Sequence, residues 1–319
     1  MKIALLEPLG VPAERIEELA EPIRKAGHTF TWYAEKSTDP RELARRSAGQ
    51  DIVMIANTPY PAAAIEGADR IRALAVAFTG VDHVDLQALG KKEVTLMNCA
   101  GYSDACVAEQ VIGMTIALLR RFQDGDAAVR AGKTSLGLAG GEIAGKTVGI
   151  IGCGKIGFRT ARLFQAFGAK VLACARHERE EVVSAGIEYR PLDDVLAQSD
   201  IISLHTPNNA GTRGMISREK IALMKRSALF INCARGPIVD NRALADALNA
   251  EAFAGAAIDV FDMEPPLPQD YPLLHAKNAL LMPHTAFLTR EAMERRAIIE
   301  FANVESYLAG RPQNVVEYR

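Results

Sequence analysis

No apolar run in this 319-residue chain approaches the roughly 20 residues needed to span a bilayer. The opening Met1-Lys-Ile-Ala-Leu-Leu6 is too short for a secretory signal and reads as a first strand. Cysteine is scarce and unpatterned: Cys99, Cys106, Cys153, Cys174 and Cys233 include no CxxC pair, and their odd number argues against a disulfide framework. Several fall in apolar runs, as small core residues do, and a reducing cytoplasm is the simplest setting. An excess of one charge is missing too. With 37 Lys and Arg against 39 Asp and Glu, the net charge of -2 gives no electrostatic case for nucleic acid or membrane partners. Low-complexity segments and fixed-period repeats are also lacking, and no metal site is read from the chain.

What is present is an ordinary globular composition, 49% hydrophobic and 24% charged. The length exceeds what one core usually serves, so two domains are expected. Up to about Cys99, short apolar strands alternate with helical segments: strands at 3–6, 30–33, 51–55, 73–77 and 95–97, helices at 12–26 and 61–67. Such alternation predicts an α/β unit with a parallel sheet covered on both faces. It contains no GxGxxG. A long helix from Ser103 or Asp104 to Arg121, apolar on nearly every side, reads as buried between domains or subunits. Residues 122–145 are polar and glycine-containing and read as a surface arm.

The densest signal lies between Lys146 and Arg176. Val148 to Ile151 is an apolar strand, Gly152-Cys-Gly154-Lys155-Ile156-Gly157 follows, an amphipathic helix runs to Gly168, and a second strand ends at Ala175. The helix is expected to bury Ile156, Ala161, Leu163, Phe164 and Phe167. This is the order of a dinucleotide fingerprint. Gly152 permits the tight turn, Gly154 the approach of backbone to a pyrophosphate, and Gly157 close helix packing, with the helix N-terminus offering N–H groups to phosphate. Where a carboxylate would hold the ribose 2′-hydroxyl stands Ala175, followed by Arg176, His177 and Arg179. That pattern favours NADP(H). The alternative is NAD(H), with 176–181 a solvated loop beside Glu178, Glu180 and Glu181.

Further strands are expected at 201–204, 228–232, 254–260 and 279–282, and helices at 241–249 and 290–308. Arg235, Glu264 and His284 each fall at or beyond the carboxyl end of one of these strands, the edge where a nicotinamide belongs. Together they suit hydride transfer to a 2-oxo acid. Arg grips a carboxylate with two hydrogen bonds, His moves the proton of the developing alkoxide, and a nearby Glu stabilises the imidazolium. In the first unit, Phe78-Thr79-Gly80 follows a buried strand, and glycine there exposes backbone N–H groups.

Over essentially its whole length the sequence resembles the D-isomer-specific 2-hydroxyacid dehydrogenases, which include glyoxylate/hydroxypyruvate reductases. The resemblance is carried by Gly152–Gly157, Asn232-Cys-Ala-Arg-Gly-Pro-Ile-Val-Asp240, Asp259-Val-Phe-Asp-Met-Glu-Pro265 and Pro283-His284-Thr285. It implies two doubly wound α/β domains: a flavodoxin-like substrate domain (1–100 and 286–319) and a Rossmann cofactor domain (101–285). By the same resemblance Arg235 binds the substrate carboxylate and carbonyl, His284 is the acid/base, and Glu264 orients it. Phe78, Thr79 and Gly80 would meet the substrate, with Asn57 and Tyr102 shaping the pocket. His205, Thr206, Pro207, Cys233, Ala234 and Asp259 would line the cofactor. A homodimer through the cofactor domain and a small substrate such as glyoxylate or hydroxypyruvate are implied as well. The rival readings are a phosphite dehydrogenase-like enzyme and a dehydrogenase-derived corepressor.

Overall fold

Short apolar stretches ending in glycine, proline or polar residues favour short strands buried on both faces, and the central strands of both sheets are of this kind. The computed structural model describes residues 1–318. They form two units, Met1–Ser103 together with the segment from Leu288 onward, and Asp104–Phe287.

The first unit begins β1 (Lys2–Leu5), α1 (Ala13–Lys25), β2 (Thr29–Trp32), α2 (Pro40–Ser47) and β3 (Ile52–Ile55). It continues α3 (Ala62–Gly67), β4 (Ala73–Val76), α4 (Leu86–Lys91) and β5 (Thr95–Asn98). The parallel sheet runs β2-β1-β3-β4-β5, the flavodoxin-type winding. β3 and β4 are buried at every position. Register pairs Ile55 with Val76 and Val76 with Asn98, so the loops after β3, β4 and β5 leave from one edge.

The second unit opens with α5 (Asp104–Leu119) and α6 (Phe122–Arg130), then β6 (Thr147–Ile151), α7 (Lys155–Ala166) and β7 (Lys170–Cys174). Next come α8 (Glu180–Ser184), β8 (Glu188–Tyr189), α9 (Leu192–Gln198), β9 (Ile201–Leu204) and α10 (Arg218–Ile221). It closes with β10 (Leu229–Asn232), α11 (Asn241–Asn249), β11 (Gly255–Ile258) and β12 (Ala279–Leu281). The parallel order β12-β11-β10-β9-β6-β7-β8 reverses direction between β6 and β9. In doubly wound sheets ligands bind beyond the strand ends at such a reversal. Val111, Met114, Ile150, Ala161, Phe164 and Ile231 form part of the core on the face that α5 and α7 cover.

Residues 122–145 lie at the surface, as read from sequence, and open with the nine-residue α6, which that reading did not mark. None of its residues is buried. Arg121, at φ 52°, breaks the chain away from α5, and ion pairs Arg121–Asp124 and Arg130–Asp126 support the exposed helix. Phe167 is 45% exposed rather than on the apolar face of α7, because the helix ends one residue earlier, at Ala166.

α12 (Arg290–Leu308) returns to the first unit and packs on α1, β4 and β5. Its Phe301 ring lies 5.4 Å from Phe30. The preceding residue, Glu300, is fully buried, with Arg296 beside it and the Cys99 thiol donating to its Oε2 at 3.2 Å. Desolvation pushes its carboxyl up to about 8, against the pull of Cys99 and Arg296, while Glu7 adds to the rise. A group raised in the folded state contributes stability that is fully present below its unfolded value near 4.5 and lost as pH rises through 8. Glu300→Gln, which stays neutral, should therefore melt several degrees above the parent at pH 9 and close to it at pH 5. Equal melting differences at both pH values would refute a neutral buried Glu300.

Candidate active site

Glycine chemistry shapes the turn between β6 and α7. Gly152 sits at φ +94°, and a Cβ there would lie 2.7 Å from the His205 carbonyl carbon, so neither another backbone conformation nor a side chain fits. At Gly157 a Cβ would meet the Gly152 oxygen at 2.1 Å, so helix and turn touch main chain to main chain. Gly154, the N-cap of α7, faces open space. A 12-residue helix thus presents its N-terminus, at Lys155 and Ile156, to a surface that backbone can approach. That cradle fits a pyrophosphate.

At the end of β7, Ala175 and Arg176 are exposed. The basic side chain that reaches the glycine turn is Arg179. Its Nη1 donates to the Cys153 carbonyl at 3.2 Å, and its Nη2 pairs with Glu181. The Arg179 backbone N–H donates to the Tyr189 hydroxyl at 3.3 Å. Beyond β9, the His205 ring lies 2.8 Å from Ser203 Oγ through Nε2, and desolvation pushes it down to about 4, leaving it neutral at pH 7. Thr206 Oγ1 and Asn208 Oδ1 in the same loop are buried without protein partners, as groups awaiting a polar ligand would be. Pro207 is exposed between them.

The turn after β10 carries Cys233, Ala234 and Arg235. Buried Asn232 accepts the Ala234 N–H at 3.0 Å and donates to the Arg235 carbonyl at 3.1 Å, fixing the turn from both sides. Burial pushes the Cys233 thiol well up, with the Asp259 charge adding to it, so it is no nucleophile. Arg235 Nη1 donates to the Ala234 carbonyl at 2.8 Å.

Asp259, just past β11, is completely buried. Its carboxylate accepts the N–H groups of Thr285 at 2.8 Å and Ala286 at 2.9 Å, and its own carbonyl accepts the His284 N–H at 2.8 Å. Burial raises the carboxyl above its ordinary range even against those donors. His284 is held at φ +55°, a conformation L-residues with side chains seldom adopt. Its Nδ1 faces Glu264 at 2.9 and 3.1 Å, and its ring stands edge-on to Phe287. Nε2 is therefore the nitrogen turned away from the carboxylate.

In the first unit, Asn98 Nδ2 donates to the Thr79 carbonyl at 2.8 Å, and Thr79 Oγ1 is buried without a partner. Phe78, buried, packs between His83 and Tyr102. Asn57 accepts from Lys36 Nζ at 2.9 Å. Of the sequence-derived residues, the glycines, Arg235, Asp259, Glu264 and His284 are gathered along the carboxyl edge of the second unit's sheet. In the sequence Arg179 is only a neighbour of Ala175, because nothing local shows that its side chain turns back onto the glycine loop.

Residues 112–286 match the family model described as the NAD-binding domain of D-isomer-specific 2-hydroxyacid dehydrogenases. The chain is 34% identical to a hydroxypyruvate reductase of Blautia hydrogenotrophica, over 91% of this chain and 92% of that protein. It is 35% identical to a glyoxylate reductase of Thermofilum pendens, over 84% of this chain and 81% of that one. Among solved structures, an acyclic imino acid reductase in complex with NADPH and D-Arg superposes with a TM-score of 0.89 at 30% identity, covering 99% of this chain and all of that one.

Proposed function

This chain belongs to the D-isomer-specific 2-hydroxyacid dehydrogenases, nicotinamide-dependent oxidoreductases of small hydroxy and oxo acids, and from that membership we propose that Arg235, Glu264 and His284 carry the reduction of a small 2-oxo acid such as glyoxylate or hydroxypyruvate. The observation that supports it most is the His284–Glu264 pair on a strained turn. Gly152, Gly154 and Gly157 with the α7 N-terminus would hold the pyrophosphate, and the Thr206–Asn208 loop the nicotinamide half. When bound, the reduced nicotinamide supplies the hydride. Arg235 grips the substrate carboxylate through its planar fork. His284 gives the Nε2 proton to the carbonyl oxygen as charge develops there, and Glu264 at Nδ1 stabilises the protonated ring. The same proposal gives Phe78, Thr79 and Gly80 a substrate-binding role in their own unit.

The test follows loss of reduced-nicotinamide absorbance across a panel of 2-oxo acids, each with and without ammonium because one structural neighbour is an imino acid reductase. Turnover of the acids alone is expected, and His284→Ala should lose roughly 10²–10⁴-fold in kcat while still binding cofactor. Near-normal turnover of that variant would remove the role. Turnover only with ammonium would make the substrate an imino acid. Cofactor binding without any turnover would favour the phosphite or corepressor readings.

The cofactor reading is NADP(H). Ala175 puts no carboxylate at the end of β7, Arg176 is exposed beside it, and Arg179, also paired with Glu181, lies against the glycine turn. Charge-assisted hydrogen bonds of this kind make Arg179→Ala expected to lose roughly ten- to hundredfold in kcat/KM with NADPH and little with NADH. A parent enzyme equally efficient with both cofactors would end this reading.

The partner reading is a second copy joined through the cofactor unit. Around α6, Phe122, Val129 and Leu136 are 56%, 75% and 92% exposed, an unusual set for a surface that meets only water. Sedimentation should give a dimer for the parent and a monomer for Phe122→Asp/Leu136→Asp, and a monomeric parent would exclude it. Five free cysteines suit a cytoplasmic setting.

A further inference from the structure

Arg235 and Glu264 lie on separate loops, after β10 and after β11, and neither belongs to a regular strand or α-helix. Glu264 is 68% exposed along its side chain, so packing does little to hold it. One buried side chain ties the two loops together. Asp240 caps α11 by accepting the Ala243 N–H at 2.9 Å, which makes Asn241, only 4% exposed, the first residue of that helix. Its side chain turns back. Nδ2 donates to the Gly236 carbonyl at 3.2 Å and also to the Asp262 carboxylate. Both partners only accept, so the amide nitrogen must be the atom that faces them, and its two hydrogens serve one loop each. Gly236 directly follows Arg235, and Asp262 precedes Glu264 by two residues. At the same place the main chains touch: a Cβ on Gly236 would lie 1.9 Å from the Phe261 carbonyl carbon.

We propose that Asn241 is a positioning residue, which through its single amide group sets the substrate-gripping Arg235 and the histidine-orienting Glu264 at a fixed separation. This rests on the reading of Arg235, Glu264 and His284 given above. The groups that bear on its proton-handling end are Glu264 and Asp259, both acting on His284, and Tyr271, whose phenol is pushed up by burial and by the Asp262 charge.

The experiment compares Asn241→Ala, Asp262→Ala, Asp262→Asn and the double alanine variant by two readouts: KM for the 2-oxo acid, and the His284 ring resonances, which report its Nδ1 contact with Glu264, followed by NMR without cofactor. Asp262 is exposed, so its variants should fold even if Asn241→Ala does not. Asn241→Ala should raise KM roughly ten- to hundredfold, the scale of a small misplacement. Both alanine variants should move the His284 ring resonances, as Glu264 loosens from Nδ1. Asp262→Asn keeps an acceptor and should restore the parent resonances. The double variant should be no worse than Asn241→Ala. Parent-like ring resonances in Asp262→Ala, or losses that add in the double variant, would overturn the proposal. Failure of the parent to turn over any 2-oxo acid would instead remove the underlying reading, which the NMR measurement does not depend on.

Discussion

The geometry around His284 depends on one buried carboxylate. Asp259 is buried at the end of β11, where desolvation works against its charge, and it is held there by the N–H groups of Thr285 and Ala286. With its own carbonyl on the His284 N–H, it ties three successive amides. Those bonds over-determine a backbone that costs on the order of 1–3 kcal/mol to keep at positive φ. Relaxing φ would swing the imidazole away from Glu264. Asn232 acts in the same manner one strand over, clamping both ends of the turn that presents Arg235. His284 and Arg235 are thus each aimed by a buried polar neighbour spent on backbone.

The nucleotide end follows a different logic. Positive potential there comes from the α7 N-terminus and from Arg179, while the ring beneath the turn, His205, stays neutral. A neutral His205 packs against Gly152 and Gly157 without competing for anions. The glycine turn is therefore shaped by main-chain contact with its neighbours.

Much of this was legible in the residues because the relevant physics is local. Gly152, Gly154 and Gly157 follow a strand and open a helix, and steric rules assign each its task. Arg235, Glu264 and His284 were placed by counting strands. What escaped was tertiary or compositional. α6 has no buried face, so hydrophobic periodicity could not report it. Glu300 and Asn241 look like solvent-facing helical residues, and only the packed structure shows both of them buried. Arg179 belongs to a charged loop by sequence and to the glycine turn by geometry.

The first unit is assembled from two distant stretches. Phe301 rests on Phe30, Arg296 donates to the Leu9 carbonyl, and Val316 adds its N–H to Leu96. On a ribosome these partners emerge far apart in time. Residues 104–287 must be made in between, which at ~5–20 residues per second takes roughly 10–40 s. Throughout that interval the nascent β1–β5 sheet has no α12 to cover it, while the continuous second unit has all its own strands and can close first. The insertion therefore imposes an order on synthesis: the cofactor-binding half matures ahead of the half that was begun before it, and the early strands need protection from neighbouring chains until α12 arrives.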